Sequence, residues 1–112
     1  MAIKSACWVY FLACGRDAAL YIGVADDLAR RFMQHVEGKG SLFTSRKESL
    51  TLIGAFPMDT RRAALQTEYR LKRMRRQEKL RVASLAARCP EWLELKAKDP
   101  RLSIKAFRHP VV

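Results

Sequence analysis

Residues 6–14 read ACWVYFLAC, nine positions without a charged side chain. Trp8 to Ala13 is rich in aromatic and β-branched residues, and Gly15, Arg16 and Asp17 follow, so the run predicts a strand closed by a turn. Both of its faces are apolar, which places it inside a sheet rather than at an edge. The segment AALYIGV reads as a returning strand, joined to the first as a hairpin. Cys7 and Cys14, seven apart on one strand, fall on opposite faces and cannot bond to each other. With Cys89 they make three cysteines and no C-x-x-C pair, which argues against a disulfide framework and a thiolate zinc site. The apolar run is too short to span a bilayer, and no A-x-A cleavage pattern accompanies it. A soluble, reducing, cytoplasmic setting is the expectation.

At 112 residues the chain has room for one core. Asp26 can cap a helix, with Asp27 in its first turn. Leu28, Phe32 and Val36 would form the buried stripe of that helix, and Gly38 and Gly40 end it. Arg31 and His35 stand four apart on a neighbouring line. GKGSLFTSRKES reads as a polar loop with three bases, and LTLIGAFPM as a third strand ended by Pro57. Asp59 or Thr60 can cap a helix running to about Arg76, and EKLRVASLAAR is a further helix. From Pro90 the chain shows one short helical stretch between proline breaks. The expected fold class is α+β: a small three-stranded antiparallel sheet flanked by helices in residues 1–88, with a C-terminal extension, 89–112, packed on it or trailing from it.

The net charge is +11, unevenly spread. Residues 1–60 carry a net +1, residues 61–81 +7 and residues 82–112 +3. A polyanion is the partner such a field attracts, nucleic acid before an anionic membrane surface, although a charge run alone is often just a solvated face.

Five side chains stand out chemically. Tyr10 and Tyr21 lie on adjacent strands, and Gly23 leaves room for a ligand or another backbone just beyond Tyr21. Arg31 and His35 share the first helix, and Glu68 is the one acid among the bases of the helix after the third strand. Each has a plainer reading: a tyrosine filling a core, solvated helix residues, an i,i+4 surface pair of Glu68 with Lys72. Their spacing is more telling. Eleven residues separate Tyr10 from Tyr21, ten separate Tyr21 from Arg31, four separate Arg31 from His35, and Glu68 follows thirty-three later.

The order and intervals resemble the GIY-YIG nuclease superfamily. Its first motif stands here as Trp8-Val9-Tyr10, keeping only the tyrosine, and its second is intact as Tyr21-Ile22-Gly23. DDLARRFMQH is similar to the family's Arg-and-His helix, and TEYRLKRMRRQEK to its later helix with the metal-binding glutamate. The likeness runs from about residue 6 to 85 and is nearest to small single-domain bacterial members. Several members place an asparagine late in the module, and this chain has none.

The resemblance implies a metal-dependent endonuclease that hydrolyses phosphodiester bonds in DNA, acting in repair or recombination. Tyr10, Tyr21, Arg31, His35 and Glu68 would be catalytic, with Glu68 the ligand of Mg2+ or Mn2+. Tyr10 would be the base or water-orienting group and Arg31 the phosphate contact, while Tyr21 and His35 orient water or, for His35, shuttle a proton. Gly23, Lys39, Arg46, Lys47, Lys72, Arg73 and Arg76 are the nucleic-acid-binding candidates. No added module reads base edges, so the structure of the DNA, single-stranded or branched, rather than its sequence is the expected determinant; RNA stays open. The expected protein is a monomer or weak homodimer without membrane attachment. Two other readings stand beside it: a non-catalytic nucleic-acid-binding module that keeps the fold, and an interaction protein that docks through EWLELKAKDPRLSIKAF.

Overall fold

A computed structural model describes residues 7–107; residues 1–6, part of the stretch read for a signal peptide, and 108–112, the end of the extension, lie outside the described residues. Strand β1 (Cys7–Cys14) pairs antiparallel with β2 (Ala19–Ala25) on one side and with β3 (Ser49–Met58) on the other. The doubly apolar run is therefore an interior strand, as its two greasy faces require. In the turn after it, Gly15 and Ala18 adopt positive φ.

Helices cover both faces. Trp8, Tyr10, Leu12 and Cys14 of β1 meet Leu28, Ala29 and Phe32 of α1 (Leu28–Val36), Trp92 of α5 (Pro90–Lys98) and Leu102. Cys7, Val9 and Phe11 meet Ala64 and Leu71 of α3 (Arg61–Lys72) and Ala83 and Ala86 of α4 (Arg76–Ala87). Cys7 and Cys14 thus lie in opposite cores. Gly54 lets α4 come close: a Cβ there would stand 2.6 Å from the Ala87 nitrogen.

The sheet has four strands, not three, in the order β2-β1-β3-β4. Strand β4 (Lys105–Phe107) pairs with Ser49–Thr51 of β3 and covers that edge. Three residues, one of them Lys, carry no strand periodicity of their own; the strand forms because β3 offers unpaired backbone groups and Ala106 is buried against the core. It follows a 3-10 turn, Pro100–Ser103.

Two local expectations also change. Asp27, not Asp26, caps α1 by accepting from the Arg30 amide at 3.1 Å, while Asp26 faces Arg61 at 3.2 Å. The polar loop after α1 holds a single helical turn, α2 (Leu42–Ser45), capped by Ser41. Among the described residues no helix is long and apolar enough to cross a membrane.

Trp92 is among the largest fully buried side chains, so Trp92→Ala should cost about 3–5 kcal/mol in chemical denaturation. Leu93→Ala, at a largely exposed neighbour, should stay within about 0.5 kcal/mol. An unchanged midpoint for Trp92→Ala would show that α5 is not part of the cooperative core.

Candidate active site

Tyr10 sits at the middle of β1, opposite Gly23 in the β2 register. Its ring lies across Gly23, where any Cβ would collide with the phenol. The glycine that follows Tyr21-Ile22 is thus needed for the tyrosine of the neighbouring strand, and the phenol fills the space expected for a ligand or another backbone.

With its ring 1 % exposed, Tyr10 carries a hydroxyl that must find a partner. The partner is His35 of α1, 0 % exposed, whose Nε2 lies 2.7 Å from the Tyr10 oxygen. His35 therefore belongs to the buried face of α1 together with Leu28 and Phe32, while Val36 is only partly covered. On the other side of the imidazole, Nδ1 lies 2.7 Å from the Thr44 hydroxyl of α2, and that oxygen is 2.9 Å from Ser41 Oγ. Gly40 makes this possible, since a Cβ there would collide with the His35 ring. Arg31 holds the same segment from above, donating through Nη2 to the Gly40 carbonyl at 2.8 Å and through Nη1 to Gln34 Oε1 at 3.0 Å.

Tyr21 completes the aromatic wall, edge-on to His35 at 5.2 Å and 6.3 Å from the Tyr10 ring. Phe43 of α2 stacks on Tyr21 at 6.0 Å, and Lys47 lies 4.8 Å over Phe43. Lys72 lies 6.0 Å from the Tyr21 ring centre and 3.4 Å from Glu68 Oε2. The structure thus gathers Tyr10, Tyr21, Arg31 and His35 around one buried hydrogen bond, with Lys72 linking Glu68 to their edge.

Burial pushes the Tyr10 phenol well above its ordinary range, and the Arg31 guanidinium acts against it by favouring the phenolate. Tyr21 and the Glu68 carboxylate push the same way as burial.

Glu68 offers one carboxylate, about one fifth exposed, and among the described residues no three His, Cys, Asp or Glu side chains cluster around a possible metal position. A single, partly open carboxylate fits Mg2+ or Mn2+, which keep most of their water and share phosphate oxygens; it does not fit an all-protein cage.

The remaining cations separate into groups. Arg46 and Lys47 border a groove with Leu42 and Phe43. Arg73 donates to the Tyr69 hydroxyl at 3.0 Å and covers its ring at 5.4 Å. Lys39 is 3.8 Å from Glu37 at the end of α1, and Arg76 opens α4, exposed. Sequence reasoning missed Gly40, Ser41, Phe43, Thr44 and Tyr69. Only Ser41-x-x-Thr44, a capping spacing, carried a local signal, and that signal concerns a helix start rather than a site.

Residues 6–81 match the family model of the GIY-YIG catalytic domain, and the chain belongs to that family, a nuclease superfamily. It is similar to a UPF0213 protein of Enterobacter sp. (strain 638), 37 % identical over 78 residues, 70 % of this chain and 76 % of that protein. It is also similar to the UPF0213 protein YhbQ of Escherichia coli (strain K12), 36 % identical over 86 residues, 77 % of this chain and 86 % of that one. Among solved structures, the solution NMR structure of the UPF0213 protein BH0048 from Bacillus halodurans aligns with a TM-score of 0.48 at 29 % identity, over 76 % of this chain and 89 % of that chain.

The buried phenol makes a spectroscopic prediction. A free tyrosine ionises near pH ~10. The phenolate absorbance belonging to Tyr10, taken as wild type minus Tyr10→Phe in an alkaline titration of the folded protein, should emerge only well above that pH. Emergence at the free value would show that the ring is open to water.

Proposed function

We propose that the protein is a metal-dependent endonuclease that hydrolyses phosphodiester bonds in DNA and selects its substrate by DNA structure, in repair or recombination. The observation that carries this reading is the buried Tyr10–His35 hydrogen bond with Arg31 within electrostatic reach of the phenol. Such a pair has no need to be polar if its task is only to fill a core, since burying unneeded polar groups risks an unsatisfied donor.

The chain's own residues supply most of what the reaction requires. Water attacks phosphorus and gives its proton to the Tyr10 oxygen as the Tyr10 proton passes to His35 Nε2. One P–O bond forms, the bond to the leaving oxygen breaks, and that oxygen takes a proton from solvent. His35 matters because burial opposes a lone phenolate, so Tyr10 can serve as a base only if its own proton has somewhere to go. Arg31 lies beside this pair with its rigid fork of donors, suited to a phosphate oxygen. A divalent cation at Glu68, when bound, supplies charge neutralisation at the phosphate. Lys72 is one turn further along the same helix and adds a second positive charge.

Preference for DNA structure over sequence is supported by the surface. Phe43 and Tyr69 expose 44 % and 62 % of their area, each with a cation against the ring, a combination that suits unstacked bases and phosphates rather than base edges in a groove. Arg61, Arg62 and Arg70 line an open hollow with Leu65 and Tyr69 on α3.

Labelled single-stranded, duplex and branched DNA, incubated with the protein, should be cut with Mg2+ or Mn2+ and left intact in a chelator. Glu68→Ala and Tyr10→Phe should each slow cleavage by about 100-fold or more. In chelator, Glu68→Ala should bind DNA at least as tightly as wild type, because an acid leaves a basic surface. Salt-sensitive binding without turnover in any divalent cation would instead establish a binding module that keeps the fold.

A further inference from the structure

The short segment after α1 is tied to the site more closely than a surface loop needs to be. Thr44 is fully buried, and its hydroxyl oxygen touches His35 Nδ1 at 2.7 Å, Ser41 Oγ at 2.9 Å and the Ser41 carbonyl at 3.3 Å. The Ser41 carbonyl can only accept, so it offers a place for the one proton that Thr44 carries. With the proton directed there, the Thr44 oxygen faces Nδ1 as an acceptor. Ser41 Oγ accepts from the Thr44 amide at 3.1 Å and can direct its own proton at the Thr44 oxygen, which is consistent with the same arrangement.

We propose that Thr44 is a positioning residue that holds His35 as the tautomer protonated on Nδ1, leaving Nε2 as the lone-pair acceptor for the Tyr10 proton. The opposite tautomer would place N–H against the Tyr10 oxygen, and the phenol would have nowhere to send its proton. Once His35 has taken that proton, the Nδ1–H···Oγ bond to Thr44 keeps the imidazolium hydrogen-bonded at full burial, where an unpartnered donor is costly. Gly40 and Arg31 serve the same arrangement: the missing Cβ lets the segment close over the ring, and Arg31 clamps the Gly40 carbonyl. The catalytic consequence rests on the nuclease reading; the tautomer itself does not.

The test combines two measurements on the full chain. Nitrogen-15 NMR of the histidine side chains, with H109Q used to assign the other histidine, should show His35 with a pyrrole-type Nδ1 and a pyridine-type Nε2. Thr44→Val, which keeps the shape and removes the hydroxyl, should mix or reverse the two tautomers, and Thr44→Ser should preserve the native one. Under single-turnover conditions with Mg2+, Thr44→Val should cut a labelled oligonucleotide about 10- to 100-fold more slowly, with affinity in chelator unchanged, and Thr44→Ser should recover most of the rate.

A wild-type His35 protonated on Nε2 overturns the assignment, and that measurement needs neither turnover nor a stable variant. A Thr44→Val protein with native tautomer and native rate overturns it as well, as does a Thr44→Ser protein as slow as Thr44→Val. A wild type that cuts nothing while showing the native tautomer, disturbed in Thr44→Val, defeats the nuclease reading and upholds the positioning role.

Discussion

The hydrogen bond between Tyr10 and His35 joins two polar side chains that have lost almost all contact with water. Leaving either without a partner would cost about 1–3 kcal/mol, a sizeable part of the stability of a domain this small. That requirement constrains much around it. Helix α1 must lie with His35 against the sheet, β2 must carry a glycine beneath the phenol, and the chain after α1 must double back so that Thr44 reaches the far side of the imidazole. The apolar residues of α1 and β1 supply the driving force for packing, and the polar pair selects one arrangement among those that burial alone would allow.

The charge distribution follows a different logic. The basic residues of α3 and of the segment before α4 face outward because the inner positions of α3, Ala64 and Leu71, are needed by the second core. Glu68 lies along that helix where one side chain can be partly covered and partly open, next to Lys72. Both faces of the sheet carry an apolar core, but one helix layer holds the buried Tyr10–His35–Thr44 hydrogen bonds and the other presents a positive surface with a carboxylate near its border. This positive surface suits a polyanionic substrate.

Most of the elements were legible because their determinants are local. The interior strand showed in its two apolar faces, the hairpin in Gly15 and its neighbours, α1 in its periodicity and α3 in its cap. Locality also marks where the reading failed. Asp26 and Asp27 are equally good caps on paper; in the fold Asp27 takes the cap and Asp26 faces Arg61, thirty-five residues away. Strand β4 has no pattern in its own three residues and exists through the free edge of β3. In the tail from Pro90, read as an extension packed on the domain or trailing from it, the buried residues Trp92 and Leu102 are separated by charged ones and pack with residues of β1 and α1.

By itself the sequence determined which residues were chemically available and which element each would occupy, since period and charge are properties of neighbours along the chain. It showed Tyr10, Tyr21, Gly23, Arg31, His35 and Glu68 at family spacing. The tertiary structure alone decided that the phenol of Tyr10 covers Gly23, that His35 is buried rather than solvated, and that Thr44, Gly40 and Phe43 belong to the site. Those outcomes depend on how a loop closes across a helix, and loop closure is set by contacts between residues far apart in sequence. A threonine in a polar loop has no local mark that separates a surface hydroxyl from one held against a buried imidazole; only the folded chain, by removing water from both, makes that difference.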